Sequence, residues 1–185
     1  MQFYYPAKPH IVNQAWGIYR PEIYSQFGFT NHNGLDIRLG TDKTLYAPFD
    51  CEVLKIGNQP NGGGIFLGIL STETSDKGRV LLDMLHCEKI LAEVGKTYKV
   101  GDKLAIADNS GFSTGSHTHL QFRWISYDGK VITTLEKNNA NNSFDPTPYW
   151  NGKYAQDVAL NEPQASPASL NYKFDVDLVY GEKSY

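Results

Sequence analysis

Histidine and aspartate are the residue types in this sequence whose spacing suits metal chemistry, and they first occur together at residues 32–36. His32 and Asp36 lie four residues apart, with Gly34 between them. Side chains alternate along an extended strand, so these three positions share one face, where the imidazole and the carboxylate can reach the same ion. Gly34 leaves the space between them open. This segment therefore offers two candidate metal ligands.

A second group of candidate residues lies in the segment 116–124, where polar and apolar residues alternate. One face carries His117, His119, Gln121 and Arg123, and the other carries Thr118, Leu120, Phe122 and Trp124. This alternation predicts a strand that packs its apolar side on a core and presents two histidines to a cleft. A His-x-His pair alone is common by chance, so the prediction of a metal site depends on finding both segments in one chain.

Two imidazoles and one carboxylate with an open fourth position form a common ligand set for catalytic zinc, whereas structural zinc sites more often close with four protein ligands. Zinc held in this way brings the pKa of its bound water near neutrality and polarises a substrate carbonyl. Histidines that do not bind the metal can transfer protons or stabilise negative charge. The pattern therefore indicates a metallohydrolase.

The two remaining histidines carry less information. His86 ends the run Val80–His86, in which positions 80, 82 and 84 are apolar, so its spacing fits a core histidine and a functional histidine equally well. His10 has no partner nearby in the sequence, and we expect it at the surface.

Short apolar or alternating runs, separated by Gly, Asn, Asp and Pro, recur between residues 35 and 132 and predict a mostly β fold. The predicted strands are Gly34–Leu39, Cys51–Ile56, Ile65–Leu70, Arg79–His86, Lys103–Ala107 and Thr118–Ile125. One helical turn is predicted over Glu88–Val94, with Ile90, Leu91 and Val94 facing the core.

Length and composition limit the class of protein. The chain has 185 residues, a formal net charge of -3, and 12 Tyr, 9 Phe and 3 Trp, which suffice for one folded domain. This charge offers no general attraction to phosphates or anionic lipid, so nucleic acid and membrane-surface partners are not expected. No apolar run reaches the roughly 18 to 20 residues of a membrane helix, so no membrane insertion is expected. Cys51 and Cys87 permit at most one disulfide, and we expect two buried thiols instead.

Three parts of the chain differ in character. Residues 1–27 are predicted to be a lead-in that packs on the domain, residues 28–150 the main domain, and residues 151–185 a linker and a strand-like extension. Within the last part, residues 161–169 contain Pro, Ser and Ala without an aromatic anchor, which predicts a linker. Apolar and polar residues then alternate over residues 170–180, which predicts a strand.

The two histidine motifs resemble those of the M23 family of zinc metallopeptidases, the lysostaphin and LytM-like peptidoglycan endopeptidases. The resemblance runs from about Gly28 to Tyr149. The family's HxxxD motif is matched in HNGLDIRLGTDKTLYAPFDCEV, and its closing HxH after a Gly-rich turn is matched in GDKLAIADNSGFSTGSHTHLQFRW. The order of the motifs also agrees, and together they are far more specific than either motif alone.

That resemblance implies a fold and a set of residue roles. The fold would be mostly β, a single domain of antiparallel sheets with an open metal-containing cleft, as in the duplicated hybrid motif. His32, Asp36 and His119 would bind one zinc ion per chain. His117 would be the catalytic base, and His86 would help to stabilise the tetrahedral oxyanion. The enzyme would act as a monomer on the bacterial cell wall, cutting cross-link or stem peptides of peptidoglycan.

The sequence departs from the family pattern at two positions that are not ligands. Cys51 stands where a Gly is common, and Gln121 stands where an acidic residue is common, so the surroundings of the metal are in question rather than its ligands. The stretch Asn61–Gly64 has no following Lys-Ser or Lys-Thr, and we interpret it as a flexible turn at the cleft rim rather than a phosphate loop.

Two other functions stay open on the sequence alone. Degenerate M23-like domains bind cell walls or activate other hydrolases, but they typically lack ligand residues that this chain has. A histidine phosphocarrier of similar β architecture would need no zinc, and the spacing within each motif favours a metal over a phosphohistidine. The first residues show no secretory signal, so we expect either a phage-delivered enzyme or a fragment of an exported protein.

Overall fold

Residues 1–132 and 142–159 are described by the structure, a computed structural model, and they form a large sheet and a small one. The strands are β1 (Phe3–Tyr5), β2 (Ile11–Gln14), β3 (Leu35–Arg38), β4 (Thr44–Tyr46), β5 (Cys51–Gln59), β6 (Gly64–Ser71), β7 (Arg79–Ile90), β8 (Thr97–Tyr98), β9 (Lys103–Ala107), β10 (His117–Ile125) and β11 (Trp150–Tyr154). The helices are α1 (Pro21–Tyr24) and α2 (Ala155–Ala159), with 3-10 turns at Ser25–Phe27 and Thr147–Tyr149. The predicted linker and the strand over residues 170–180 lie outside the described residues.

The large sheet has nine strands, and its pairing places the histidine motifs side by side. Its strand order is β2-β3-β10-β7-β6-β5-β8, with β9 pairing with β7 and β4 pairing with β9. Every pair in this sheet is antiparallel. Strand β10, with the His-x-His pair, therefore lies between β3, which contains Asp36, and β7, which contains His86. The prediction of a mostly β fold built from antiparallel sheets is confirmed.

All six predicted strands are present, and five further short strands were not predicted. Five of the six end within three residues of the predicted bounds, and β7 continues to Ile90 instead of ending at His86. The strands without a prediction are β1, β2, β4, β8 and β11, which have two to five residues each. Runs this short give little alternation to detect, and the equally short β3 and β9 were predicted because turn residues flank them.

The predicted helical turn over Glu88–Val94 is wrong. The first three residues of that segment continue β7, and two of them pair with β9, Lys89 opposite Ile106 and Ile90 opposite Ala105. Leu91 and Val94 are exposed rather than turned to the core. The hydrogen bonds offered by β9, which is distant in sequence, outweigh a local preference for one helical turn.

The core lies on the face of the large sheet opposite the histidines of β10. Its central side chains come from alternate positions of β7 and β10, namely Val80, Leu82, Met84, Leu120, Phe122 and Trp124. Phe3 is fully buried against them, and its ring centroid lies 5.3 Å from that of Phe122. Cys51 and Cys87 are both buried in this core as free thiols, which confirms that prediction.

The small sheet joins the two ends of the described chain. Strands β1 and β11 pair in parallel, with Phe3 opposite Trp150 and Tyr5 opposite Tyr154. Strand β2 follows β1 and forms one edge of the large sheet. In the described ranges, no helix has the length and apolar character to cross a bilayer.

Candidate metal centre

Three side-chain atoms from the two histidine motifs converge on one point. The Nε2 atom of His32 lies 3.1 Å from Nδ1 of His119, and that Nδ1 lies 2.9 Å from Oδ1 of Asp36. The third distance, from His32 Nε2 to Asp36 Oδ1, is 3.2 Å. Ligands of tetrahedral zinc at bond lengths near 2.0–2.1 Å lie about 3.3 Å from one another. The spacing and chemistry of these donors therefore fit a zinc ion.

Regular strand pairing positions two of the three donors. His119 on β10 and Asp36 on β3 are direct cross-strand partners, so their side chains emerge side by side on the same face. Gly34 lies just before β3, beneath the ring of His119. A Cβ atom at Gly34 would lie 2.4 Å from Nε2 of His119 and 2.7 Å from the carbonyl oxygen of Leu120. Only glycine at this position leaves room for the His119 ring.

His32 is fixed by contacts that the sequence did not indicate. Its Nδ1 lies 2.9 Å from the carbonyl oxygen of Ala15 and donates to it, which leaves the Nε2 lone pair for a metal. The ring of Tyr24 stacks on that of His32, with a centroid distance of 5.6 Å, and the Tyr24 hydroxyl accepts from the side chain of Gln14. Burial, followed by the charge of Asp36, raises the pKa of Tyr24 to about 12, so its hydroxyl stays protonated.

Charges within the trio favour the protonation states that bind a metal. Burial alone would raise the pKa of Asp36, but its close contacts with His119 and His32 outweigh burial and hold that pKa far below its usual range. Burial lowers the pKa of His119 despite the opposing influence of Asp36. A carboxylate anion and a neutral imidazole are the forms that coordinate metals.

His117 lies next to the trio at the start of β10. Its Nδ1 lies 2.8 Å from the carbonyl oxygen of Gly115, and Nε2 lies 3.8 Å from Oδ1 of Asp36. Because a carbonyl only accepts hydrogen bonds, Nδ1 of His117 is the donor in this contact. The Nε2 lone pair of the neutral ring then faces the metal centre.

A β-bulge turns His86 toward the same face. On β6, Ile65 pairs with Cys87 and Leu67 pairs with Met84, so three residues of β7 span a step that takes two on β6. His86 lies inside this bulge and has a φ of 62°, in the left-handed region. Met84 and Cys87 consequently both face the core, and His86 faces the opposite side.

The ring of His86 completes the group of histidines. Its centroid lies 4.7 Å from that of His117 and 6.2 Å from that of His119. Nδ1 of His86 donates to the carbonyl oxygen of Ser110 at 2.8 Å. Burial lowers the pKa of His86 to about 4, so the ring is neutral near pH 7. Of the two positions left open for His86 by its spacing, the structure shows the one at the site.

His10 is not part of this group, and it is half-buried rather than fully at the surface. Its ring stacks on Tyr5 with a centroid distance of 3.8 Å and lies 5.1 Å from the ring of Trp150. Burial in this aromatic cluster lowers the pKa of His10 to about 4. The residues that cover it come from β1 and β11.

The antiparallel sheet has the lysostaphin fold, and two imidazoles and a carboxylate that could hold a metal converge at one of its faces. The chain belongs to peptidase family M23, whose model matches residues 30–141. The resemblance inferred from the two motifs is thus confirmed. A metal, typically zinc in this family, is expected at the His/Asp site.

Similar proteins come from several bacteria. The chain is 32% identical over 105 residues to an uncharacterized metalloprotease of Haemophilus influenzae, covering 56% of this chain and 20% of that protein. It is 30% identical over 90 residues to the peptidoglycan DD-endopeptidase ShyB of Vibrio cholerae, covering 49% and 20%. The chain therefore spans about a fifth of the length of these relatives. The lysostaphin catalytic domain of Staphylococcus simulans has the same fold, with a TM-score of 0.58 at 21% identity, over 76% of this chain and 91% of that domain.

Proposed function

We propose that this chain is a zinc-dependent endopeptidase that hydrolyses peptide bonds in bacterial peptidoglycan. The observation that carries the proposal is the convergence of three donor atoms from His32, Asp36 and His119, two of them buried histidines, beside two further histidines. Membership of family M23 supports the peptidase chemistry. The names of ShyB, a peptidoglycan DD-endopeptidase, and of lysostaphin, an antimicrobial peptidase, support a substrate in the cell wall.

His32, Asp36 and His119 would hold one zinc ion. When bound, zinc supplies Lewis acidity, which makes a water molecule more acidic and polarises the scissile carbonyl. The protein contributes a nearly dry pocket on one side, since only 1% of His32 is exposed. It contributes an opening on the other side, since 15% of the Asp36 side chain and 16% of the His117 side chain are exposed.

His117 is proposed as the general base. Its Nδ1 proton is committed to the carbonyl of Gly115, so Nε2 is the atom that can take a proton from the attacking water. After attack, the same Nε2 can return that proton to the nitrogen of the departing amine. A positioned base of this kind typically contributes roughly 10²- to 10⁴-fold to the rate.

His86 is proposed to act beside the reacting carbonyl, in a way that depends on the protonation of its ring. Its Nδ1 donates to Ser110, so Nε2 of the neutral ring has a lone pair and no proton. The ring can donate to an oxyanion only after Nε2 gains a proton, whereas the neutral ring can accept a hydrogen bond from the attacking water. The predicted role in oxyanion stabilisation is thereby restricted to the protonated ring.

The remaining parts of the proposal concern the whole protein. Residues 28–150 would be the peptidase domain, with residues 1–27 packing on it, and the protein would act as a monomer. Action on the cell wall would follow either delivery by a phage or export as part of a bacterial protein. No separate wall-binding part is assigned to residues 151–185.

Mass spectrometry of fragments released from a panel of purified peptidoglycans tests the proposal. The zinc-loaded protein should release peptides with new amine termini, and a chelated parallel sample should not. The His117→Ala variant serves as a matched control, since it leaves all three proposed ligands in place. Loss of release on chelation would identify metal-dependent cleavage and the bond that is cut. A protein that binds zinc but releases nothing from any peptidoglycan would contradict the proposed substrate.

A further inference from the structure

Ser110 makes three hydrogen bonds around His86, and the proposed function gives it no role. Its hydroxyl donates to the carbonyl oxygen of Cys87 at 2.6 Å and accepts from the backbone N–H of Ile65 at 2.9 Å. Its own carbonyl oxygen accepts from Nδ1 of His86 at 2.8 Å. One residue of the loop before β10 therefore connects β6, the bulge of β7 and the His86 ring.

Backbone packing holds Ser110 in this place. A Cβ atom at Gly64 would lie 2.4 Å from the backbone carbonyl of Ser110, and one at Gly111 would lie 2.3 Å from the backbone nitrogen of Gly64. The turn formed by Asn61–Gly64 thus lies against the loop with no side chain between them. The same turn accepts the backbone N–H of His86 at the carbonyl oxygen of Gly63, at 2.8 Å.

The conformation of His86 requires such support. A residue other than glycine in the left-handed region is strained and persists only where surrounding contacts maintain it. Both sides of the bulge are tied to the glycine turn and to Ser110, through His86 N–H and Cys87 C=O. The ring is tied to the same serine through Nδ1.

We propose that Ser110 is a positioning residue for His86. Its hydroxyl anchors the loop on the bulge of β7, and its carbonyl thereby fixes the His86 ring as the Nδ1–H tautomer with Nε2 toward the metal centre. The inference deepens the proposed function and rests on it for the effect on catalysis. The tautomer of His86 can be measured without any turnover.

Ser110→Ala in the zinc-loaded full chain tests this role, with Ser71→Ala as the matched control. Ser71 is fully buried, whereas Ser110 is half-buried. The Ser71 hydroxyl likewise donates to a carbonyl oxygen, that of Glu73, at 2.8 Å, and accepts from a backbone N–H, that of Val80, at 3.0 Å. Its hydroxyl likewise connects β6 and β7, without contacting His86. We expect comparable losses of thermal stability and unchanged zinc content in both variants. Only Ser110→Ala should lower kcat, by about tenfold or more, with little change in KM.

Two further readouts separate positioning from general stability. Imidazole ¹⁵N chemical shifts should show His86 as the Nδ1–H tautomer in the wild type and in Ser71→Ala, and as a mixture of tautomers in Ser110→Ala. In a His86→Ala background, Ser110→Ala should cause no additional loss of kcat.

An unchanged His86 tautomer in Ser110→Ala would overturn the inference, as would an equal loss of kcat with and without the His86 ring. A wild type that cuts no peptidoglycan would instead contradict the proposed function. The tautomer measurement would still decide the role of Ser110 in that case.

Discussion

The two halves of the site are held in place by different parts of the fold. The proposed ligands Asp36 and His119 are paired across regular strands in the middle of the large sheet. The rings of His86 and His117 are both held through Nδ1, by the carbonyl oxygens of Ser110 and Gly115 in the loop between β9 and β10. The sheet therefore positions two of the three proposed ligands, and the loop sets which nitrogen of His86 and of His117 faces the reaction.

This difference allows metal binding and proton transfer to be altered separately. A change in the loop can alter proton transfer while the strand pairing still holds the ligands. A change in the strand pairing removes the ligands and leaves the other two histidines without a metal to act beside. The variants below test whether metal binding and turnover separate along this line.

Replacement of His119 should have the largest effect. The His119→Ala variant loses the ligand that lies closest to Asp36, and we expect no zinc after dialysis and hydrolysis at background level. Elemental analysis of the dialysed protein and fragment release from peptidoglycan measure the two effects. His10→Ala removes a histidine outside the site and should keep one zinc per chain. Full activity in His119→Ala would contradict the ligand assignment.

Replacement of His117 should reduce turnover without affecting zinc binding. The His117→Ala variant keeps the three proposed ligands, so we expect a full complement of zinc and a loss of kcat of roughly 10²- to 10⁴-fold. The zinc content and the steady-state rate of fragment release give the two numbers. Loss of zinc from His117→Ala would contradict the separation of zinc binding from proton transfer.

A methyl group at Gly34 should weaken zinc binding without removing a ligand. The new Cβ of Gly34→Ala would press on the His119 ring and on the Leu120 carbonyl, and we expect zinc affinity to fall by roughly 10- to 100-fold. Competition with a chromogenic chelator measures the affinity. Gly115→Ala is the control, because a Cβ there meets nothing within 4 Å. Equal affinities in the two variants would show that the His119 ring can shift at no cost.

The smallest effect is expected at His10, which lies outside the candidate metal centre and should affect only the pH dependence of stability. Burial holds its pKa at about 4 in the folded protein, below the 6.5 of an ordinary histidine. As the pH falls from 6.5 toward 4, the unfolded chain gains a proton that the folded chain does not, so the free energy of unfolding decreases. His10→Phe should reduce that decrease by about 1 kcal/mol, after allowance for solvent screening. Urea denaturation at pH 7 and pH 4, with chelator in both proteins, measures the difference, and identical pH dependence would contradict it.

Regular alternation made the first half of the site predictable. Strand β10 keeps a period of two, so the shared face of His117 and His119 could be inferred from spacing. The spacing also indicated that His32 lies near Asp36, although His32 precedes β3 and is held there by other contacts. The same rule could not locate His86. Counting along β7 places it with Val80, Leu82 and Met84 on the core side, and the bulge that reverses this arises where β7 changes its partner from β10 to β9.

Long-range contacts explain the other differences. Ala15 and Tyr24 reach His32 from a segment in which no sequence pattern marks them as part of a site. His10 is covered by Trp150, which is distant in sequence. These contacts to His32 and His10 join residues that are not neighbours in sequence, so local sequence patterns carry no information about them.

The parallel pairing of β1 with β11 has a consequence for protein architecture. Among the described residues β1 is the first strand and β11 the last, so the start of β1 and the end of β11 are separated by about the length of one short strand, on the order of 10 Å. A unit bounded by these two strands therefore has closely spaced ends. If such a unit were inserted into a loop of a host protein, the two ends of that loop would stay close together, as domain insertion requires. The pairing thus makes a unit bounded by β1 and β11 suited to insertion within a host chain as well as to fusion end to end.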